Sequence, residues 1–172
     1  MYKYKTSPFK HQRQALIEGA KLQNFAYFME MGTGKTKVAI DNTAYLYQEK
    51  KIDFAFVIAP NSVYQNWKKE IDFHCPEETN IYIWKVTKDK TFKLDPNKLT
   101  FILMNVEALS HASGKKWLEY KLLKHGMRSM VILDESTSIK NLKASRTKAI
   151  IKLGKLARYK RILTGSPITK SP

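Results

Sequence analysis

One seven-residue stretch constrains this chain more than any other. Glu30-Met-Gly-Thr-Gly-Lys-Thr36 follows an apolar run, Phe25-Ala-Tyr-Phe-Met29, and precedes a helical pattern from Thr36 to Gln48. Gly32 and Gly34 let the backbone turn tightly, so the N–H groups of the loop, Thr33 included, can point at phosphate oxygens. Lys35 brings a positive charge to the outer phosphates, and the Thr36 hydroxyl suits a Mg²⁺ ion. The helix that starts there aims its positive dipole end at the anion. The full phosphate-loop pattern has a further glycine where this chain has Met29. A strand, this loop and a helix in succession still specify nucleotide binding.

The remaining apolar runs repeat that arrangement. Phe54–Ala59, Ile81–Val86, Leu99–Met104, Met130–Leu133 and Arg161–Leu163 read as strands. Helical patterns start near Ser62, a candidate cap, and cover Lys115–Lys124 and Leu142–Leu153. Alternating strands and helices, with continuously apolar strands, predict an α/β domain: a mostly parallel sheet with helices on both faces. Ligands of such sheets bind beyond the carboxyl ends of the strands, so the residues there are the ones to inspect.

Asp134-Glu135 follows the fifth apolar run. Beside a phosphate loop, Asp134 can hold Mg²⁺ and Glu135 can take a proton from an attacking water. Thr164-Gly165-Ser166 follows the sixth and can bond the acidic pair or sense the outer phosphate. Pro60-Asn61-Ser62 follows the second, where a helix start can grip a nucleic-acid phosphate. Trp67, farther along that helix, reads as core rather than a platform for a base.

Charge points the same way. The 172 residues carry a formal net charge of +16, which suits a polyanion. Ten basic residues and no acidic one lie after Glu135. They read either as a phosphate-backbone surface or as the solvated face of a helix. A single cysteine, Cys75, excludes a disulfide framework, and its neighbour His74 completes no metal-ligand set. No stretch approaches the ~18 apolar residues of a membrane span, and the N-terminus has no apolar signal core. An intracellular location follows as the expectation: cytoplasmic, or the host cytoplasm for a phage-encoded chain.

Taken in order, these motifs resemble the first RecA-like motor lobe of helicase superfamily two, nearest the Swi/Snf-type DNA translocases of phage or bacterial kind. The resemblance runs from about Pro8 to Pro172. It implies that Gln12, in Phe9-Lys-His-Gln12, bonds an adenine and that Phe9 stacks nearby. Glu30–Thr36 is similar to motif I. Ile58-Ala-Pro-Asn-Ser-Val63 with Asn66-Trp67 is similar to motif Ia, and Asn105-Val-Glu107 to a further DNA-side motif. Leu133-Asp-Glu-Ser-Thr137 is similar to motif II, with Thr137 where many relatives have His. Leu163-Thr-Gly-Ser-Pro-Ile168 is similar to motif III.

The implied function is the ATP-binding lobe of an ATP-dependent DNA translocase or helicase. The implied cofactors are ATP and Mg²⁺, and the implied partners are double-stranded DNA and a second RecA-like lobe. The chain reads as one lobe, residues 1–172, ending just after motif III. Alone, such a lobe is expected to hydrolyse ATP weakly or not at all, because the missing arginine finger is worth ~10³–10⁵ in rate. The alternative is a stand-alone nucleotide- and DNA-binding module without turnover. A small-molecule phosphotransferase is disfavoured by the acidic pair and the Thr164–Ser166 turn.

Overall fold

The computed structural model describes residues 2–85, 95–134 and 143–165. Among these residues, six strands form one sheet in the order β1-β6-β5-β2-β4-β3. They are β1 Asn24–Phe28, β2 Phe54–Ala59, β3 Thr79–Ile83, β4 Leu99–Asn105, β5 Ser129–Asp134 and β6 Tyr159–Thr164. Every pairing is parallel, so the mostly parallel sheet read from the apolar runs is fully parallel here. All six apolar runs are strands, displaced by a few residues at most. The largest shift is at β3, which begins at Thr79; Val86, at the far end of the expected strand, lies outside the described residues.

Five α-helices accompany the sheet among the described residues: α1 Lys10–Gly19, α2 Lys35–Gln48, α3 Asn61–His74, α4 Ala112–His125 and α5 Ser145–Gly154. The period of two along each strand sorts their side chains onto two faces. Ala55, Val57, Phe101, Leu103, Met130 and Ile132 point to one core with Val38, Ala39 and Ile40 of α2 and Trp67 and Ile71 of α3. Phe56, Ile58, Ile102, Met104, Val131 and Leu133 point to the other, with Trp117, Leu118 and Leu122 of α4 and Ile150 and Leu153 of α5. Cover on this second face thins toward β1 and β6, where Phe28 and Ile162 are exposed.

Helix starts differ from the sequence reading at α4, which opens at Ala112 rather than Lys115, and at α5, which opens at Ser145 rather than Leu142, and two further starts bear on the site. Helix α1 carries no long apolar stripe: of KHQRQALIEG, only Gln12, Leu16 and Gly19 are buried. It begins with a capping exchange in which the Phe9 N–H donates to Gln12 Oε1 at 3.0 Å. Helix α3 begins at Asn61, with Pro60 rather than Ser62 at the cap position. The ring of Pro60 fixes φ at −59°, and its carbonyl accepts from Val63 N at 2.9 Å, which turns the chain directly from β2 into the helix.

Arg161 shows that the run of basic residues after Glu135 is not one surface. It faces the core from β6 and is 1 % exposed. Its guanidinium donates to Asn42 Oδ1 and to the carbonyls of Gly19, Leu22, Gln23 and Lys160, at 2.7–3.2 Å. Burial lowers its proton affinity, which Tyr27 opposes. Lys143, Lys148, Lys152 and Lys155 are solvent-exposed, and Lys152 pairs with Glu119 of α4 at 3.3 Å.

A nucleotide-loop site at the carboxyl edge of the sheet

The loop between β1 and α2 has the backbone that its glycines predict. Gly32 has φ +77° and Gly34 φ +83°, the left-handed region that other residues enter at a cost. A Cβ on Gly34 would also press on Gln12 Nε2, so the Gln12 side chain would have to give way. Gly34 caps α2, and Lys35 and Thr36 open it. The N-terminal end of a helix 14 residues long therefore faces the loop, with its first N–H groups available to an anion.

The side chains around the loop hold it in shape. Thr33 Oγ1 donates to Glu30 O at 2.7 Å, and Lys35 Nζ donates to the carbonyls of Met29 and Glu30, both at 3.0 Å. Among the described residues Lys35 thus rests on neutral carbonyl acceptors, from which an incoming anion can draw it. Gln12 Nε2 donates to Thr33 O at 3.0 Å, and His11 Nε2 shares that carbonyl at 3.0 Å. Gln12, expected to read an adenine, is 5 % exposed and ties α1 to the loop. Phe9 is exposed and stacks on His11, with ring centroids 5.8 Å apart. Beside them a cleft of about 340 Å³ is lined by His11, Gln14, Glu18, Met29 and Thr33, among others.

The sheet order decides what stands next to the loop. Asp134 ends β5, but β5 is not the neighbour of β1; β6 lies between them. Leu163 of β6 is level with Asp134 on one side and with Tyr27 on the other. Met29 N donates to Thr164 O at 3.2 Å, which carries the pairing up to the base of the loop. A Cβ on Gly165 would stand 3.2 Å from Met31 Cγ and 3.5 Å from Lys35 Nζ. Thr164 and Gly165 therefore bridge the lysine loop and the aspartate strand. Ser166 and Glu135 lie outside the described residues.

Asp134 is 7 % exposed and accepts from Trp67 Nε1 at 2.8 Å. Trp67 is fully buried, as its reading as core required, but its indole also reaches the carboxylate. That contact spans 67 residues and has no signature in spacing. Among the described residues, no group of three or more His, Cys, Asp or Glu could hold a metal by itself. One carboxylate and one hydroxyl fit Mg²⁺, which takes one or two protein oxygens and completes its shell with phosphate and water.

The other end of the same edge carries the residues read as nucleic-acid contacts. Asn105 Nδ2 donates to Asn61 Oδ1, and Asn105 Oδ1 accepts from Glu107 N at 2.9 Å. These two side chains, with Trp84, Lys85, Leu103 and His111, line an open cleft of about 320 Å³. Asn61 and Asn105 are thus brought together, as are Lys35 and Gly165, at separate stations along one edge.

The model of the SNF2-related domain matches residues 23–172. The chain belongs to this family. Among curated relatives of this SNF2-related chain, the chromatin-remodeling ATPase INO80 of Schizosaccharomyces pombe is 31% identical over 150 residues, covering 81% of the chain and 9% of the relative. INO80 of Arabidopsis thaliana is 29% identical over 143 residues, with 81% and 9% covered. The chain thus spans about a tenth of the curated relatives it matches. The SWI2/SNF2 ATPase core of Sulfolobus solfataricus, solved in complex with dsDNA, superposes with a TM-score of 0.76 at 22% identity, over 96% of this chain and 33% of that one. The UvsW helicase of bacteriophage T4 gives 0.63 at 17% identity, over 94% and 53%. These likenesses bear out the RecA-like, Swi/Snf-type reading of the SNF2-related lobe.

Proposed function

We propose that this chain is the ATP-binding lobe of an ATP-dependent DNA translocase. The observation that carries the reading is the convergence at one edge of the sheet. A glycine-turned loop with its lysine, the Thr164–Gly165 turn and the Asp134 carboxylate all stand there, delivered by the adjacent strands β1, β6 and β5. Membership of the SNF2-related family, and a superposable core solved with dsDNA, support the same reading.

In this mechanism the N–H groups of Gly32–Thr36 and the Lys35 ammonium bind the phosphates. The Phe9–His11 stack and Gln12 border the adenine. Thr36 and Asp134 would hold Mg²⁺, which neutralises charge developing on the phosphates. Glu135 accepts the proton of the attacking water. Asn61 and Asn105, with Pro60 and Ser62 at the start of α3, face the DNA backbone. Thr164 and Gly165, with Ser166, couple the two stations, and a second RecA-like lobe closes on the first and completes the cleft. The location proposed for this machine is intracellular.

Lys35→Ala should reduce binding of a fluorescent ATP analogue by at least about tenfold. Retained affinity would remove the loop from the mechanism. ATP hydrolysis, measured with and without duplex DNA in the presence of the second lobe, should require Glu135. Glu135→Gln should still bind nucleotide while losing turnover by about 10²–10⁴, the usual contribution of a general base. Wild-type chain that binds nucleotide and DNA but never turns over would instead establish the binding-module alternative.

A further inference from the structure

Trp67 occupies a core position that any large apolar side chain could fill, yet its one polar atom is spent on the site. The indole Nε1–H donates to Asp134 Oδ2 at 2.8 Å, with Trp67 fully buried and Asp134 nearly so. An indole N–H donates and never accepts, so this contact fixes one of the two carboxylate oxygens as its acceptor. The two residues come from different elements: Trp67 from the middle of α3 and Asp134 from the end of β5.

A short carboxylate side chain at a strand end can turn about χ1 and χ2. A buried donor on one oxygen removes that freedom, as outer-shell partners do for metal ligands. We propose that Trp67 is a positioning residue for Mg²⁺-nucleotide: its N–H holds the Asp134 carboxylate in the orientation that meets the metal beside the phosphate loop. This rests on the reading of Asp134 as the metal carboxylate. The role belongs to the N–H alone, and the rest of the indole serves the core.

The test separates the two contributions. Affinity of the full chain for a fluorescent ATP analogue is measured in excess Mg²⁺ and again in EDTA, alongside thermal unfolding. Trp67→Phe removes the N–H and some volume. Benzothienylalanine placed at position 67 by site-specific incorporation keeps the volume and replaces only the N–H with sulfur. Both should lose about tenfold in Mg²⁺-dependent affinity, the lower end for outer-shell partners, with affinity in EDTA unchanged. The Mg²⁺ concentration for half-saturation should rise to match.

A benzothienylalanine chain that gains as much from Mg²⁺ as the wild type overturns the proposal, whether or not Trp67→Phe folds. Asp134→Asn distinguishes the failures. If it loses the Mg²⁺ gain while the position-67 variants keep it, Asp134 remains the metal carboxylate and Trp67 is merely core. If the wild type gains nothing from Mg²⁺, the metal reading fails and this inference falls with it.

Discussion

The two faces of the sheet are held by different means. On the side of α4 and α5, the described residues form an apolar core from Phe56 and Ile102 to Leu118 and Leu153, and the buried Ser129 hydroxyl bonds only the nearby Gly126 carbonyl. On the side of α1, α2 and α3, apolar packing is crossed by buried polar ties. Arg161 gathers the carbonyls that follow α1, Lys37 pairs with Asp41 at 2.7 Å, and Trp67 reaches Asp134. Apolar contacts are non-directional and tolerate small slides, whereas a buried hydrogen bond or ion pair fixes register and becomes costly when half of it is lost. The face that carries the nucleotide loop is the face where register is fixed.

Removing one partner of a tie should therefore cost more than trimming the oily face. Arg161→Met leaves the carbonyls of Gly19, Leu22 and Gln23 without this donor, and because each buried acceptor left unsatisfied costs about 1–3 kcal/mol, it should destabilise by about 3 kcal/mol or more in urea unfolding. Arg161→Lys should recover only part of that, because one ammonium cannot reproduce the planar fork. A loss under about 1 kcal/mol for Arg161→Met would break the comparison. Ile102→Val on the opposite face should cost about 0.5–1.5 kcal/mol, the transfer of one methylene plus a small void.

The smallest effect concerns pH, and it involves a histidine on each face. His74 joins Thr6 to Glu70, and His125 packs on Phe54 with ring centroids 4.2 Å apart. Burial lowers the pKa of both below the ordinary value of 6.5, with Glu70 opposing it at His74 and Lys124 adding to it at His125. The unfolded chain then binds more protons in that range, so stability should fall as pH drops below about 6.5 and level off below the folded values. His74→Asn and His125→Asn should each remove part of the slope in denaturation at pH 8 and pH 5.5. A slope unchanged in the double variant would assign it to other groups.

Much of this arrangement was legible in the residues themselves. The strands announced themselves as apolar runs, and β2 spans Phe54–Ala59 as its run predicted. The places of Lys35, Thr36 and Asp134 were legible because residues that follow an apolar run in a parallel sheet collect at its carboxyl edge. Helix α1 escaped because its buried positions include a glutamine and a glycine, which no apolar period detects. The insertion of β6 between β1 and β5 escaped because strand order is set by which helix packs on which face, and spacing along the chain does not record it. Arg161 looked like one more basic residue of the C-terminal run. Its signal was parity, since Tyr159, Arg161 and Leu163 share one side of a strand and the outer two are apolar. The Trp67–Asp134 bond left no comparable trace, because any large apolar side chain would have filled the same core position.

The sheet order also sets a timetable. Among the described residues, β1 pairs only with β6, and Asn24 is level with Lys160. During synthesis the strand beneath the nucleotide loop is the first of the six described strands to be made, and its partner is the last of them. At ~5–20 residues per second the wait is about 7–27 s, with the loop tethered to a strand that has no neighbour. Nucleotide cannot be gripped firmly in that interval, so binding competence should arrive in one step as the last strand slides into place.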